Sequence, residues 1–203
     1  MKIILKIKIL IKILIIISCS SHPSLADRIS LNKISDYING LTTLQADFEQ
    51  INSDGSIDRG KLYIRRPGRM RLEYTAPNNA LVIAGAGSVA IFDDKSKNGP
   101  TLFPLKKTPL NLLLKKNVDL YKNEMITEHT ANNENTFIVA KDHKRKSQGS
   151  IKMVFSNSPV SLQGWTITNQ SNQKTQIILD KLDKKTKIPL YLFNISAASK
   201  NKN

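Results

Sequence analysis

An alternation of apolar and charged residues between Lys61 and Tyr74 constrains the fold more than any other feature of the sequence. Even-numbered positions are mostly apolar, and odd-numbered positions are mostly Lys, Arg or Glu. Because side chains alternate between the two faces of a β-strand, this pattern predicts extended chain with one apolar face. Pro67 cannot donate to a ladder and so requires an edge, a bulge or a bend. If the phase continues across that bend, Arg66 points into the apolar face.

A second alternation immediately upstream predicts the partner of this strand. Apolar and polar residues alternate from Leu44 to Glu49. A turn cluster follows at 52–56, with Asp54-Gly55 at its centre. Asp-Gly between two alternating segments is a strong signal for a hairpin. We therefore predict an antiparallel hairpin whose second strand begins near Ile57.

Two other segments have helical spacing. Apolar residues between Ile29 and Leu41 predict one amphipathic helix over 29–41, with Gly40 near its end. Thr108 followed by Pro109 is a favourable N-cap and first helical residue. We predict that they begin a short helix that contains Leu110, Leu112, Leu113 and Leu114.

The rest of the chain contains short strand candidates separated by polar loops. They lie at 81–84 and 89–92 and near 118–126, 136–141, 151–156, 161–168, 174–181 and 188–195, before a tail, 196–203, that we predict to be disordered. No interdomain linker is visible, so residues 27–203 are predicted to form a single domain. The predicted fold class is mainly β with short α: an unclosed antiparallel β-barrel, in which a strongly curved sheet of about eleven strands is covered by short lid helices. Such a sheet tends to leave an apolar hollow.

The first 26 residues have the pattern of a secretory signal peptide. They contain four lysines and no acidic residue, an apolar run at 13–17, and Ser24-Leu25-Ala26 at the end. We predict export and cleavage after Ala26, which leaves a soluble product. The alternative is lipidation at Cys19, because residues 16–19 resemble a lipobox. Lipidation would anchor the protein to a membrane.

Cysteine content and charge exclude several function classes. Cys19 is the only cysteine, so the body of the chain has no disulfide, thiol nucleophile or cysteine-ligated metal site. The net charge is +15, but an exported protein does not meet DNA or RNA, which leaves anionic membrane surfaces as partners. We interpret the basic run Lys141–Lys146 as a solvated loop and Asp93-Asp94 as a turn. Without a recognisable nucleophile motif, we predict no enzymatic activity, cofactor, metal site or nucleic-acid partner.

An ordered set of motifs resembles the periplasmic outer-membrane lipoprotein carrier family, the LolA-like proteins. The resemblance covers residues 28–116 well and 117–195 only as a rhythm of strands. Its motifs are Asp47-Phe48-Glu49-Gln50, Gly60-Lys61-Leu62-Tyr63-Ile64, Arg66-Pro67-Gly68, Arg71-Leu72-Glu73-Tyr74, Pro77, Leu81-Val82-Ile83-Ala84 and Thr108-Pro109-Leu110.

The resemblance implies a monomeric, non-enzymatic carrier in the periplasm. It would accept triacylated lipoproteins from an ATP-driven release complex in the inner membrane. It would then deliver their acyl chains to a LolB-like receptor in the outer membrane. Two alternatives share the fold: a LolB-like receptor anchored at Cys19, and a periplasmic regulatory module that senses mislocalised lipoproteins.

The resemblance also assigns a latch role to one arginine, which closes the empty protein and is displaced when lipid enters. The matching residue is Arg66, whose guanidinium would donate to carbonyl groups at a lid helix end. The alternative is an arginine at the rim that extends into water. Predicted lid residues are Leu110, Leu112, Leu113 and Leu114, and predicted walls of the acyl-chain cavity are Phe48, Leu62, Ile64, Met70, Leu72, Tyr74, Leu81, Ile83 and Ile91. The alternatives for these two sets are a packed amphipathic helix and an ordinary filled core.

Overall fold

A computed structural model of the chain describes residues 28–93, 99–122, 124–141 and 149–202. The predicted signal peptide at 1–26, with its cleavage site and Cys19, lies outside the described residues. So do Asp94 and nearly all of the basic run after Lys141. Within the described residues, no helix is long and apolar enough to cross a membrane.

Eleven antiparallel strands form one sheet. They are β1 (Thr43–Ile51), β2 (Ile57–Arg65), β3 (Arg69–Tyr74), β4 (Leu81–Gly85), β5 (Ser88–Phe92), β6 (Thr101–Pro104), β7 (Ile126–Ala131), β8 (Asn135–Lys141), β9 (Ser150–Asn157), β10 (Val160–Thr168) and β11 (Lys174–Asp183). Their order is β6-β5-β4-β3-β2-β1-β11-β10-β9-β8-β7, so the sheet remains open between β6 and β7. The predicted fold class, an unclosed curved antiparallel sheet with short helices, is confirmed.

Within the described residues, three α-helices accompany the sheet: α1 (Leu31–Gly40), α2 (Asn111–Leu114) and α3 (Ile195–Lys202). The helix predicted at 29–41 is confirmed as α1, and its N-cap Ser30 accepts a hydrogen bond from the Lys33 amide. The predicted cap of α2 is wrong. The hydroxyl of Thr108 donates to the Leu105 carbonyl instead, because a 3₁₀ turn, Leu105–Lys107, precedes it.

The hairpin between β2 and β3 explains the alternation of the sequence. The chain reverses fully at residues 66–68, so that Ile64 lies opposite Met70. A reversal through three residues preserves the parity of the side chains, so the even-numbered apolar residues on both strands share one face. The predicted bend at Pro67 and the predicted apolar face are both confirmed.

Two predicted strands and the predicted tail differ from the structure. Residues 118–120 form no strand, because side chains of α1 satisfy their backbone: Asn39 bonds to both backbone groups of Val118, and the Ser35 hydroxyl accepts from the Leu120 amide. The segment 188–195 contains a 3₁₀ turn, Leu190–Phe193. It lies across the sheet, not in it. The tail forms α3 where we expected disorder.

Apolar residues cluster on both faces of the sheet. We call the face that packs against α1 and α2 the inner face; it carries the larger cluster, which includes Leu44, Leu62, Met70 and Ile138. The opposite, outer face carries a smaller cluster beneath the C-terminal segment. Its buried members are Leu81, Ile83, Ala90, Phe92, Ile188 and Phe193.

Candidate functional site

The inner face is covered by α1 and by the segment that follows β6. We call residues 105–120 the lid. The predicted lid residues Leu110, Leu112, Leu113 and Leu114 are all buried, and they belong to the same cluster as the inner face. The inner face is therefore not exposed to water beneath the lid; leucine side chains occupy it.

Arg66 connects the two covering elements. Its Nη1 donates to the carbonyls of Ile38 and Leu41 at the C-terminal end of α1, and its Nη2 donates to the Lys115 carbonyl at the end of α2, at 2.7 Å. The last carbonyl groups of a helix lack intrahelical partners and carry partial negative charge, so a guanidinium is a suitable donor for them. The prediction that Arg66 points inward to the end of a lid helix agrees with these contacts.

The backbone of the same turn makes two more connections. The Arg66 amide donates to the Thr42 carbonyl, just after α1, and the Gly68 amide donates to the Leu114 carbonyl in α2; both bonds measure 2.8 Å. Sequence reasoning missed these bonds, because only the three-dimensional reversal places the amides beside the helix ends. The turn at 66–68 thus holds both covering elements through side chain and backbone together.

The guanidinium of Arg66 is only partly satisfied. Within the described residues, its Nε is the one buried side-chain nitrogen or oxygen without a hydrogen-bond partner. Burial also lowers the pKa of Arg66 from its ordinary value, because desolvation disfavours the charged form. In the part of the chain that the structure describes, no carboxylate forms an ion pair with Arg66 that would offset this desolvation. Closure of the lid at Arg66 therefore carries an electrostatic cost.

The other end of α1 is fixed by hydrogen bonds to β7 and β8. The Ile29 amide donates to the buried Thr136 hydroxyl at 3.1 Å, and the Ile29 carbonyl accepts from Nε2 of His129 at 2.8 Å. Burial lowers the pKa of His129, although its bond to Ile29 opposes this shift. The N-terminal side of α1 is thus fixed by the Thr136 hydroxyl, which accepts, and by the His129 ring, which donates, whereas the Arg66 guanidinium donates to its C-terminal end.

Six predicted wall residues share the inner face: Phe48, Leu62, Ile64, Met70, Leu72 and Tyr74. The rings of Phe48 and Tyr74 meet edge to face, 5.1 Å apart between centroids. Gly60 lies opposite both on β2 and leaves room for them; a Cβ there would meet the Phe48 ring at 2.8 Å. Burial raises the pKa of Tyr74, whose hydroxyl donates to the Gln50 side chain at 2.6 Å.

The other three predicted wall residues are not buried on the inner face. Leu81 and Ile83 are on the outer face, because Leu81 pairs with Glu73 and Ile83 with Arg71, whose side chains point outward. Ile91 is on the inner face beside Val82, but it is 36% exposed near the sheet edge. The residues that line the inner face in these strands are Val82, Ala84 and Val89.

A small pocket opens where the lid meets β8 and β9. Its volume is about 60 Å³, and its lining includes Leu112 of the lid, Met125, Ile151 and the lysines Lys106 and Lys115. This volume holds only a few water molecules, so no complete acyl chain fits in it. A larger ligand would enter the inner face only if the lid moved.

The described residues also contain no group of side chains that could bind a metal ion. Within residues 28–93, 99–122, 124–141 and 149–202, no three His, Cys, Asp or Glu side chains form a group that could hold a metal ion.

Comparison with known proteins agrees with the architecture. The family model described as "Outer membrane lipoprotein carrier protein LolA" matches residues 39–196. An uncharacterised protein of Rickettsia prowazekii is 28% identical over 187 residues, which are 92% of this chain and 86% of that protein. An outer-membrane lipoprotein carrier protein of Chromohalobacter salexigens is 24% identical over 165 residues, 74% of this chain and 75% of the relative.

Solved structures include a similar fold in a putative outer membrane lipoprotein-sorting protein domain from Vibrio parahaemolyticus. The TM-score is 0.50 at 10% identity, and the match covers 83% of this chain and 97% of that one. At this identity the likeness concerns the fold alone.

Proposed function

Because this chain belongs to the LolA family of outer-membrane lipoprotein carrier proteins, we propose that it carries the acyl chains of lipoproteins through the periplasm. The observation that supports this proposal best is the closure at Arg66. One partly satisfied guanidinium holds two covering elements over an apolar, concave face. The hydrogen bonds of this arginine stabilise the closed arrangement, while its partial desolvation is relieved on opening, and this combination suits a cover that moves.

The lid leucines explain how binding can remain reversible. Burial of each CH₂ group contributes roughly 0.8 kcal/mol, so the chains of a triacylated lipoprotein represent tens of kcal/mol if fully buried. In the closed protein the same inner face already buries four leucines of the lid, each worth about 1.5–3 kcal/mol. An incoming acyl chain takes the place of these leucines. Only the difference between the burial free energy of the acyl chain and that of the leucines contributes to the affinity.

Arg66 is the proposed latch of this exchange. When the lid opens, its guanidinium leaves the carbonyls of Ile38 and Lys115 and reaches water, which relieves its desolvation. When the lipid leaves, the carbonyl groups at the two helix ends draw the arginine back. The predicted wall residues Phe48, Leu62, Ile64, Met70, Leu72 and Tyr74 would contact the acyl chains.

Members of this family are binding and carrier proteins, and no catalytic step is proposed here. We propose triacylated lipoproteins as cargo, an ATP-driven release complex of the inner membrane as donor and a LolB-like receptor of the outer membrane as acceptor. For a soluble carrier, mass spectrometry of the mature protein should find an N-terminus at Asp27. An acylated N-terminus at Cys19 would instead indicate an anchored receptor.

Binding of a fluorescent fatty-acyl probe tests the proposed function. We expect the purified protein to bind the probe and Met70→Glu to weaken binding by at least about tenfold, because a carboxylate on the inner face opposes burial of an alkyl chain. Met70→Leu should bind as the wild type does, since the side-chain volume is similar.

Ile178→Glu provides the matched control. Ile178 is 40% exposed and lies on the outer face, opposite Gly164. The same charge there should leave the affinity for the probe unchanged. The proposal is wrong if the folded wild-type protein takes up no probe, or if the two glutamate variants bind equally well. Circular dichroism of each variant separates weak binding from unfolding.

A further inference from the structure

The lid and the edge strand before it form a surface of unusual composition. Residues 99–118 contain four lysines and no acidic residue. Two exposed apolar residues of β6 precede them: Leu102 is 59% exposed and Phe103 is 44% exposed. Leu102 pairs with Ala90 and faces outward, whereas Phe103 pairs with Val89 on the inner side, so only Phe103 lies on the side of the lid. We call the surface on this side the lid-edge patch; its residues are Phe103, Lys106, Lys107, Lys115 and Lys116.

The charges of the patch differ from those of the outer face. On the outer face, four basic side chains have carboxylate partners: Arg59 pairs with Glu49, Lys61 and Lys181 pair with Asp47, and Arg71 pairs with Glu73. Among the described residues, none of the four patch lysines has a carboxylate within ion-pairing distance. The positive charge of the patch is therefore available to an external anion.

The patch is also continuous in space. Lys106 and Lys115 line the same pocket at the mouth of the lid, although nine positions separate them. Phe103 lies opposite Val89 at the edge of the sheet, three residues before Lys106. An exposed aromatic residue beside unpaired lysines has the composition of a surface that lies in the headgroup region of an anionic bilayer.

We propose that the lid-edge patch docks the protein on an anionic phospholipid bilayer, with Phe103 in the interface and the lysines on the headgroups. An acidic face of a partner protein would also attract the lysines, but the exposed aromatic residue beside them favours the bilayer. The proposal goes beyond acyl-chain carriage. It concerns the surface of an intact bilayer and requires no acyl chain in the protein. Docking would bring the mouth of the lid to the surface from which a lipoprotein is extracted.

Vesicle co-sedimentation tests this proposal. We expect the protein to bind vesicles that contain phosphatidylglycerol in phosphatidylcholine, and to bind pure phosphatidylcholine vesicles at least about tenfold more weakly. Binding should fall as salt concentration rises, because salt screens exposed charges. Replacement of Lys106, Lys107, Lys115 and Lys116 by Gln should weaken binding by at least about tenfold.

A second quadruple variant removes the same net charge elsewhere. Lys174, Lys185, Lys187 and Lys200 are exposed and lie outside the patch. Their replacement by Gln should reduce binding by less than about threefold. Equal losses in the two quadruple variants would overturn the proposal and leave net charge as the cause. Equal affinity for the two vesicle types would also overturn the proposal. Absence of binding to both types would overturn it as well and would point to an acidic protein partner.

A fluorophore reports the orientation independently of affinity. Cys19 is the only native cysteine and lies in the predicted signal peptide, so a Phe103→Cys variant that begins at Asp27 accepts a label at this position alone. Its emission should shift to the blue on anionic vesicles, whereas the same label on Ile57→Cys, an exposed position beyond the patch, should not shift. A shift at both positions, or at neither, contradicts docking by the patch. These results leave the acyl-probe experiment unaffected, because that experiment contains no bilayer.

Discussion

Arg65 and Arg66 are consecutive residues that hold carbonyl groups on opposite faces of one sheet. Arg66 faces inward to the ends of α1 and α2, and Arg65 faces outward to the Ile188 carbonyl, at 2.7 Å. On the outer face Arg71 assists, with one bond to the Leu192 carbonyl and an ion pair to Glu73. The C-terminal segment is thus held by two arginines, one of which has a carboxylate partner.

The difference between the two faces indicates which cover moves. The inner arginine has no carboxylate partner among the described residues and leaves its Nε unsatisfied. The outer cover also packs so closely that a Cβ at Gly85 would collide with the Phe193 carbonyl. We infer that the C-terminal segment stays in place while the lid is the element that opens. The following experiments test this difference between the two covers.

The largest expected effect comes from truncation of matched leucines in the sheet and in the lid. Leu62 and Leu113 are both fully buried. Leu62→Ala should lower the free energy of unfolding by about 2–5 kcal/mol, because it leaves a cavity in the wall of the sheet. Leu113→Ala should instead mainly accelerate hydrogen exchange of the lid amides, because it weakens a cover that opens locally. Equal acceleration across lid and sheet in Leu113→Ala would show that the lid belongs to the cooperative core.

The two arginines offer the next comparison. Arg66→Leu removes charge-assisted hydrogen bonds, each worth about 1.5–3 kcal/mol, from the closed state only. Because the variant also loses the desolvation cost of the buried guanidinium, the net effect is smaller than the sum of the bonds. The variant should bind the acyl probe at least about tenfold more tightly and pass it to an acceptor more slowly. Arg65→Leu is the control and should leave both quantities unchanged. Normal transfer by Arg66→Leu would contradict the latch, and so would an equal defect in Arg65→Leu.

The smallest expected effect is a pH dependence at the fixed end of α1. His129 has a lowered pKa in the folded protein, so protonation favours the unfolded chain. The contribution of neutral His129 to the free energy of unfolding is complete above its ordinary pKa of 6.5. This contribution is lost as the pH falls through the lower pKa of the folded state. Between about pH 7.5 and about pH 5.5, Tm should fall by at most about 4 °C more in the wild type than in His129→Gln. The same fall in both proteins would assign the effect to other groups.

The sequence predicted those features that depend on the alternation of side chains within one hairpin. The alternation from Lys61 to Tyr74 placed Leu62, Met70 and Arg66 on one face, and a three-residue reversal preserves this relation. The prediction for Leu81 and Ile83 was wrong because the length of the loop between β3 and β4 does not determine which face the next strand's side chains point to. Only their pairing with Glu73 and Arg71 defines that face.

The features that could not be predicted depend on contacts between distant segments. Residues 118–120 have strand-like composition, yet Asn39 and Ser35 of α1 satisfy their backbone. The segment near 188–195 is held over the sheet by Arg65 and Arg71, more than a hundred positions earlier. The backbone bond from Gly68 to Leu114 likewise has no signature in the sequence.

Hydrogen exchange of the wild-type protein with and without a bound acyl ligand shows whether the ligand takes the place of the lid leucines on the inner face. We predict that ligand binding accelerates exchange of the Gly68 amide, whose bond to the Leu114 carbonyl holds the lid closed. It should also accelerate exchange of the Leu114 and Lys115 amides, which donate within α2, and slow exchange in β1–β3. Lid amides that stay equally or better protected in the complex would contradict the account.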